Sequence, residues 1–466
     1  MRIKKKKTLY LLTLGCNKNQ TDSEFLIAGL SKYFEITNNL KNAEIIIISP
    51  CAFLEIARVE AKEYIEKLIE FKKQNCKCLV VTGCYAELLK DEIFGEWKKK
   101  VDLVISLTDV ETFAKAILDF FDKNIKYKFI QSNGNIFGIF DDKKINRIIS
   151  HPNYAYLKIS EGCNNRCSYC LIPSIRGNFR SRKQDIILAE TEYLLKNDVK
   201  ELNIISQDIG SYGTDFAEKN KTSFIDLLKK VSKIKVSHKK QHYWTRLLYL
   251  HPKNTTKELI KVIKNNENIC HYIDMPLQHI NDNILSKMNR KTTKNEIIEK
   301  IEMLKAEIPD ICIRTTFIVG FPSETEKNFE ELLEFVGKKY FDRIGVFAYS
   351  NEKGTVSYNF ENQISENIKQ KRLKNIMKLQ KKISLEKNKK IVDEQKIYTC
   401  LAEEIIDNKT LKARIYSMAP EVDGYVFIKY DKPQNFFEKF TNESKFFKIK
   451  LTKFNEYDLF GEEIIV

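Results

Sequence analysis

No run of eighteen uncharged apolar residues occurs in this 466-residue chain, so the sequence lacks the unit of a membrane-spanning helix. The basic start, Met1-Arg-Ile-Lys-Lys-Lys-Lys, is followed by no small-residue cleavage site, and no signal peptide is expected. Neither H-E-x-x-H, G-x-S-x-G nor G-x-x-x-x-G-K-S/T is present, which argues against zinc-protease, serine-hydrolase and P-loop chemistry. A cytoplasmic protein without membrane contact is the expectation. In that compartment eleven cysteines, an odd number, point to metal or catalysis rather than to disulfides.

What is present is a soluble globular composition, 43% hydrophobic and 30% charged, in a chain too long for one ordinary core. The net charge of +16 would draw RNA to a basic face by counterion release, and a ribosomal partner would use the same field. Lysine recurs beside Asn and Ile throughout, however, as a composition bias would place it. Charge alone does not choose between these readings.

The chain is organised around Glu161-Gly-Cys-Asn-Asn-Arg-Cys-Ser-Tyr-Cys, which ends at Cys170. Three thiolates on one short loop can take three corners of a cubane iron–sulfur cluster. The fourth iron is then open to bind and reduce a second molecule. Structural zinc would want four ligands, usually as two separated pairs, and three buried structural cysteines are the bland alternative.

Residues 8–122 alternate short apolar runs with helical periodicity. Thr8-Leu-Tyr-Leu-Leu-Thr-Leu, Glu44-Ile-Ile-Ile-Ile-Ser and Cys78-Leu-Val-Val-Thr suit parallel strands covered on both faces. Helices are expected over Asp22–Phe34, with Asp22-Ser-Glu near its start, and over Leu54–Gln74. This predicts a small doubly wound α/β domain. Cys16, Cys51 and Cys84 each follow one of these strands. Ligands of parallel sheets collect at the strands' carboxyl ends, so these three thiols are expected to converge and could hold a second cluster. Gly15 and Gly83 allow the tight turns before two of them. Cys76 and Cys78 lie at the opposite edge and read as small buried hydrophobes.

Residues 123–150 read as a linker, around Ser132-Asn-Gly-Asn and Asp141-Asp-Lys-Lys, with room for an added strand pair. From 151 the alternation repeats six times, with strands expected at Tyr154–Ser160, Leu202–Ser206, Thr245–Leu250, His271–Met275, Cys312–Val319 and Arg343–Tyr349. Six βα units with right-handed crossovers make a partial barrel whose catalytic rim carries the cysteine loop. Ser206-Gln207-Asp208, Pro276-Leu-Gln278-His279 and Gly320-Phe-Pro322-Ser-Glu324 are placed on the same rim. His279 reads as a structural histidine before it reads as a donor at the site.

A lysine-rich amphipathic helix is expected over 362–390, with Ile364, Ile368, Leu373, Ile376, Leu379 and Ile383 on one stripe. Residues 391–466 change to strand-like runs separated by turns, the pattern of a small antiparallel barrel. This stretch holds eleven Lys and Arg against fourteen Asp and Glu, a sign that suits a basic protein partner better than RNA.

The C-x-x-x-C-x-x-C spacing with an aromatic before the last Cys resembles the radical S-adenosylmethionine (SAM) superfamily. A second three-cysteine set in an α/β domain and a small terminal barrel together resemble the methylthiotransferase family, over nearly the whole chain. Within it, the chain is similar to the RimO-type branch that modifies a ribosomal protein. The stretches that carry this are Tyr156-Leu-Lys-Ile-Ser-Glu-Gly-Cys163, Ile172-Pro-Ser-Ile-Arg-Gly177, Arg180-Ser-Arg182, Asp274-Met-Pro-Leu-Gln-His279, Arg314-Thr-Thr-Phe-Ile-Val-Gly-Phe-Pro322, Phe341-Asp-Arg-Ile-Gly and Ala419-Pro-Glu-Val-Asp-Gly424. The tRNA-modifying branches usually show Arg-Gly-Cys where Glu161-Gly162-Cys163 stands here. Asn17, directly after Cys16, and Ser323 depart from the branch, which commonly has Pro and Gly there.

The resemblance implies an N-terminal methylthiotransferase α/β domain (8–122), a radical SAM core (151–390) of partial (βα)6 form and a C-terminal TRAM barrel (391–466). It implies two 4Fe-4S clusters, on Cys163, Cys167 and Cys170 and on Cys16, Cys51 and Cys84, with SAM at the first. Tyr169, Gly320, Pro322 and Glu324 are expected to hold SAM. The activity implied is β-methylthiolation of an aspartate of ribosomal protein S twelve, free or on the small subunit. An electron donor such as flavodoxin or ferredoxin would feed it. The alternative is a tRNA methylthiotransferase acting on a modified adenosine.

Overall fold

Unbroken apolar runs become interior strands in the first domain. The computed structural model describes residues 6–97, 100–123, 125, 128–130, 145–218, 222–235, 242–430 and 445–464. Strands β1 (Thr8–Thr13), β2 (Glu35–Ile36), β3 (Ile45–Ser49), β4 (Cys78–Val81), β5 (Leu103–Ile105) and β6 (Lys128–Ile130) form one sheet, ordered β2-β1-β3-β4-β5-β6. Every pairing in it is parallel. Ile46, Ile48, Leu79 and Val81 enter the core on one face, and Ile45, Ile47, Cys78 and Val80 the core on the other. That is the period-two alternation of a strand with both faces covered.

One helix departs from expectation, and the departure positions the site. Helix α1 runs Asn17–Leu30, five residues earlier than Asp22, with Cys16 as its N-cap. Asp22, Ser23 and Glu24 look like a helix start, yet they lie buried in its middle. Asp22 meets Lys158 and Arg176 (2.9 Å) of the second domain, and Glu24 meets Arg147 (2.5 Å) near the end of the linker. Tertiary pairing has overridden the local cap signal. Helices α2 (Glu55–Glu70), α3 (Gly83–Glu96) and α4 (Val110–Lys123) complete this domain. Most of the expected linker, with Ser132-Asn-Gly-Asn and Asp141-Asp-Lys-Lys, lies outside the described residues.

The six expected core strands are all found, as β7 (Tyr154–Lys158), β10 (Glu201–Ile205), β11 (Trp244–Leu247), β12 (Ile269–Asp274), β13 (Cys312–Val319) and β14 (Arg343–Ala348). They pair in parallel in the order β14-β13-β12-β11-β10-β7, so β7 and β14 are edges of an open sheet. A short antiparallel pair, β8 (Ser160–Glu161) with β9 (Arg180–Ser181), brackets the cysteine loop. Helices cover one face through a continuous core that includes Leu157, Ile204, Ile273 and Phe317.

The other face is covered from its two ends by the flanking domains. At the carboxyl end α1 docks through the pairs above. At the amino end sits a closed barrel of β15 (Ile397–Asp407), β16 (Thr410–Ile415), β17 (Val426–Lys429), β18 (Phe446–Phe454) and β19 (Leu459–Glu463). It is antiparallel apart from the parallel β17–β19 pairing. Glu201 of β10 binds Arg246 (2.6 Å) and Arg414 (2.5 Å), and Arg414 also pairs with Glu403. Glu421 accepts from the Tyr154 and Tyr156 hydroxyls, and Asp423 from Tyr272. Three of the barrel's carboxylates thus serve this internal joint, so its acidic composition is in part structural. The long helix, observed as Glu366–Asp393, packs on β14 and β18. Ile376 and Ile383 of the expected stripe are buried, and Leu373 and Leu379 pack partly buried against the core, but Ile368 is exposed and Lys369, Arg372 and Gln380 are buried beside the apolar residues. Arg372 is drawn inward by Glu324 and Gln380 by the Asp342 carbonyl.

Candidate functional site

The sheet order places the first cysteine set. Cys16, Cys51 and Cys84 follow β1, β3 and β4, three adjacent strands, at their carboxyl ends. Gly15 adopts φ +103°, and a Cβ there would stand 2.6 Å from the Cys51 Cβ. Gly83 adopts φ +73°, with its missing Cβ 2.6 Å from the Ser49 hydroxyl. The two glycines let neighbouring loops close on each other. Cys16 is exposed, Cys51 half-buried and Cys84 buried. Burial pushes the Cys84 thiol up to about 12; Arg176 opposes the shift, and Cys16 and Cys51 add to it. Cys76 and Cys78 are buried in the sheet's cores, away from this rim.

Cys163, Cys167 and Cys170 line a cavity of about 340 Å³, a size suited to a small molecule. Each sulfur accepts an N–H. Backbone Asn165 reaches Cys163 at 3.5 Å, backbone Ile172 reaches Cys170 at 3.4 Å, and Arg290 reaches Cys167 at 3.7 Å. In the other set, backbone Phe53 reaches Cys51 at 3.5 Å and Arg176 reaches Cys84 at 3.2 Å. Thiolates with N–H donors and no competing carboxylate are the donor set of an iron–sulfur cluster, and both triads fit one. Among the described residues no three His, Cys, Asp or Glu side chains could hold a single metal ion; a cubane instead presents a separate iron to each thiolate.

The loop after Cys51 reaches the cavity that Cys163, Cys167 and Cys170 line, although Cys16, Cys51 and Cys84 are not themselves among its lining residues. Phe53 and Leu54, two and three residues after Cys51, line it together with Cys163, Cys167 and Cys170. Their helix is fastened there, because Glu352 accepts the Glu55 N–H at 3.0 Å and pairs with Arg58 at 2.6 Å. Tyr249 lines the same cavity from the end of β11, in the left-handed region at φ +64°. Its hydroxyl accepts from Asn17, next to Cys16, at 3.1 Å, and the Lys18 ammonium lies 3.2 Å over its ring. Burial lowers Lys18 to about 8.

Beneath the cavity two cations and two anions form a closed set: Lys158 and Arg176 with Asp22 and Glu161. All four side chains are buried. Burial alone would push the Glu161 carboxyl up, but Arg176 and Lys158 outweigh it and hold the group at about 2. The network joins α1 to both flanks of the cysteine loop.

Of the side chains expected to hold SAM, Tyr169 lines the cavity. Gly320, Pro322 and Glu324 follow β13 at the expected rim but are not among the lining residues. Beside Gly320 the space is filled by the Lys369 stem. Glu324 turns inward, accepting the Gly320 and Phe321 N–H groups and pairing with Arg372 at 3.1 Å. Burial carries its pKa to about 7 against the pull of Arg372. His279 is fully buried outside the cavity, its Nδ1 accepting the Asn281 N–H. Gln207 and Gln278 do line the cavity. Sequence reasoning passed over Tyr249, His251 and Arg290, which also line it. His251 follows the expected strand Thr245–Leu250 and so could have been found by the strand-end rule, whereas Tyr249 comes into reach because β11 ends earlier, at Leu247; Arg290 carries no such signal.

Three family matches fall along the chain in order: uncharacterized protein family UPF0004 over residues 8–106, the radical SAM superfamily over 157–336 and the TRAM domain over 396–464. Among solved structures, the radical SAM methyltransferase TsrM from Kitasatospora setae, with cobalamin and a [4Fe-4S] cluster bound, superposes with a TM-score of 0.54 at 12% identity, covering 73% of this chain and 72% of that one. That likeness concerns the fold. Curated relatives carry more. Ribosomal protein uS12 methylthiotransferase RimO of Acetivibrio thermocellus is 40% identical, covering 98% of this chain and 99% of the relative. The RimO protein of Thermoanaerobacter sp. (strain X514) is 43% identical, covering 98% and 100%. With full-length identity at this level, and with the domains in that order, the chain belongs to the RimO family of radical SAM methylthiotransferases.

Proposed function

We propose that this chain methylthiolates the β-carbon of an aspartate in ribosomal protein S twelve, free or within the small subunit. Cys163, Cys167 and Cys170 hold one 4Fe-4S cluster and Cys16, Cys51 and Cys84 a second. When bound, these groups and SAM supply a one-electron C–H abstraction, a sulfur atom and a methyl group, chemistry that side-chain bases cannot perform on so weakly acidic a position. The observation that carries the reading is the approach of the Cys51 loop to the first cluster site: Phe53 and Leu54, two and three residues after Cys51, line the space that also meets Cys163, Cys167 and Cys170.

The chain's own residues orient and exclude. Tyr169, within the first cluster loop, lines the wall, and Gln207, Gln278, His251 and Arg290 offer polar contacts for SAM around it. His251 Nδ1 accepts the Lys253 N–H at 3.3 Å, and burial keeps its ring neutral by lowering the pKa to about 2. It therefore presents Nε2 as an N–H donor. Tyr249, held by Asn17 and Lys18, lines the cavity where the residues after Cys16 approach it. Electrons come from a reduced carrier of the flavodoxin or ferredoxin kind.

Mass spectrometry of ribosomal protein S twelve from cells with and without the gene tests this. The expected result is a mass gain equal to one methylthio group replacing hydrogen, present only with the gene. An unmodified protein S twelve, accompanied by loss of a methylthio-adenosine from tRNA in the deletion strain, would transfer the activity to tRNA.

A further inference from the structure

Arg176 belongs to the radical SAM loop by sequence and to the other triad by contact. It stands six residues after Cys170, and the neighbouring Gly177 carbonyl accepts the Cys163 N–H at 3.2 Å. Its side chain is 1% exposed. One terminal nitrogen, Nη1, donates to Asp22 at 2.9 Å and to both Glu161 oxygens at 2.9 and 3.0 Å. The other, Nη2, points away from these carboxylates. It donates to Asn19 Oδ1 at 2.7 Å and to Cys84 Sγ at 3.2 Å. Among the described residues this is the charged donor that reaches a sulfur of the Cys16, Cys51, Cys84 set, where Cys51 receives only a backbone N–H.

An ion pair that merely glued two domains would leave that second nitrogen no particular target. Here Asn19 steers it onto a sulfur. A hydrogen bond to a ligating sulfur withdraws charge and favours the more negative, reduced form of a cluster. In a dry interior, fixed by three acceptors, a guanidinium does this more strongly than an amide would.

We propose that Arg176 is a positioning residue that raises the reduction potential of the cluster on Cys16, Cys51 and Cys84 through its bond to the Cys84 sulfur, tying that cluster's redox state to the loop bearing Cys163, Cys167 and Cys170. This rests on the two-cluster reading above. It adds a residue, and a direction, to a site otherwise defined by its ligands.

The test uses the full chain with Cys163, Cys167 and Cys170 replaced by Ala, so that only the second cluster is reconstituted, and compares it with the same chain carrying Arg176→Gln or Arg176→Lys. Anaerobic potentiometric titration is read by electron paramagnetic resonance. With Gln the reduction equilibrium should weaken about tenfold, a fall of about 59 mV for one electron, and the g-values should move; Lys, which keeps the charge, should recover part of the loss. A change below threefold in Gln chains that retain the cluster overturns the proposal. So does failure of both variants to fold or to assemble the cluster, which would make Arg176 structural. If the parent triple-Ala chain assembles no cluster, the two-cluster reading itself falls, an outcome distinct from an unmoved potential.

Discussion

Replacing Glu201 by alanine should loosen the terminal barrel from the core sheet. Glu201 is fully buried and faces two guanidiniums, Arg246 at 2.6 Å and Arg414 at 2.5 Å. Glu403 is the second carboxylate on Arg414. Removal of Glu201 leaves two buried cations sharing one counter-charge. Breaking a buried pair from one side costs about 3–5 kcal/mol, because the stranded charge keeps its desolvation penalty. Arg246 retains the Tyr416 carbonyl and its place 4.6 Å over the Tyr272 ring, which argues for the lower end. At 1.36 kcal/mol per decade, hydrogen exchange in β15 and β16 should accelerate by roughly two powers of ten or more, while β3 and β4 stay protected. The pH dependence has a definite sign. Burial pushes the Glu201 carboxyl up, but Arg246 and Arg414 outweigh it and hold it below the usual carboxylate range. Its contribution is therefore present above the unfolded carboxylate value and lost as pH falls through the lower folded one. Wild-type docking should weaken in acid, and the alanine variant should lose that part of the slope. Exchange that quickens by less than about fivefold, under 1 kcal/mol, would refute the reasoning.

Other expectations are as direct. In Gly83→Ala the backbone at φ +73° costs roughly 1–2 kcal/mol, and the new Cβ meets Ser49 Oγ at 2.6 Å. Iron analysis should show loss of the Cys84 cluster with the Cys163–Cys170 cluster retained. The triple change Cys16→Ala, Cys51→Ala, Cys84→Ala should still release 5′-deoxyadenosine from SAM under reduction yet yield no methylthiolated protein S twelve; modified product would refute the assignment. Glu324 is raised to about 7, mainly by burial, so the stability it contributes is complete below the unfolded carboxylate value and is lost as pH rises through about 7. Glu324→Gln should abolish that loss, seen as melting temperatures at about pH 5 and about pH 8 that converge relative to wild type.

The strands were the most legible part of the fold. Ile45–Ser49 and Cys78–Val81 are unbroken apolar runs because both faces are covered, and a run of that kind announces itself. Leu103–Ile105 is equally buried but only three residues long, too short to stand out. Helix α1 starts earlier than the cap signal for a physical reason: Asp22 and Ser23 are good caps in isolation, and the pairing of Asp22 with Lys158 and Arg176 makes it an interior residue. The cysteine positions were legible from strand ends alone. Side-chain direction was not. Glu324 sits at the correct end of β13 and still faces Arg372, because burial beneath the long helix offers it a cation there. Tyr249 was hidden for the converse reason, since its importance depends on where α1 docks.

That docking also bears on how such a chain can be rebuilt. A first domain cut free at the linker would expose Lys18, Asp22 and Glu24 together with Asn17 and Asn19, whose partners Tyr249 and Arg176 lie in the second domain. A recipient scaffold would receive unmatched charges along the seam. Any exchange between relatives would have to carry Arg147, Lys158, Glu161 and Arg176 along with the helix they clasp. The two units are therefore expected to be inherited, and to diverge, as a single piece.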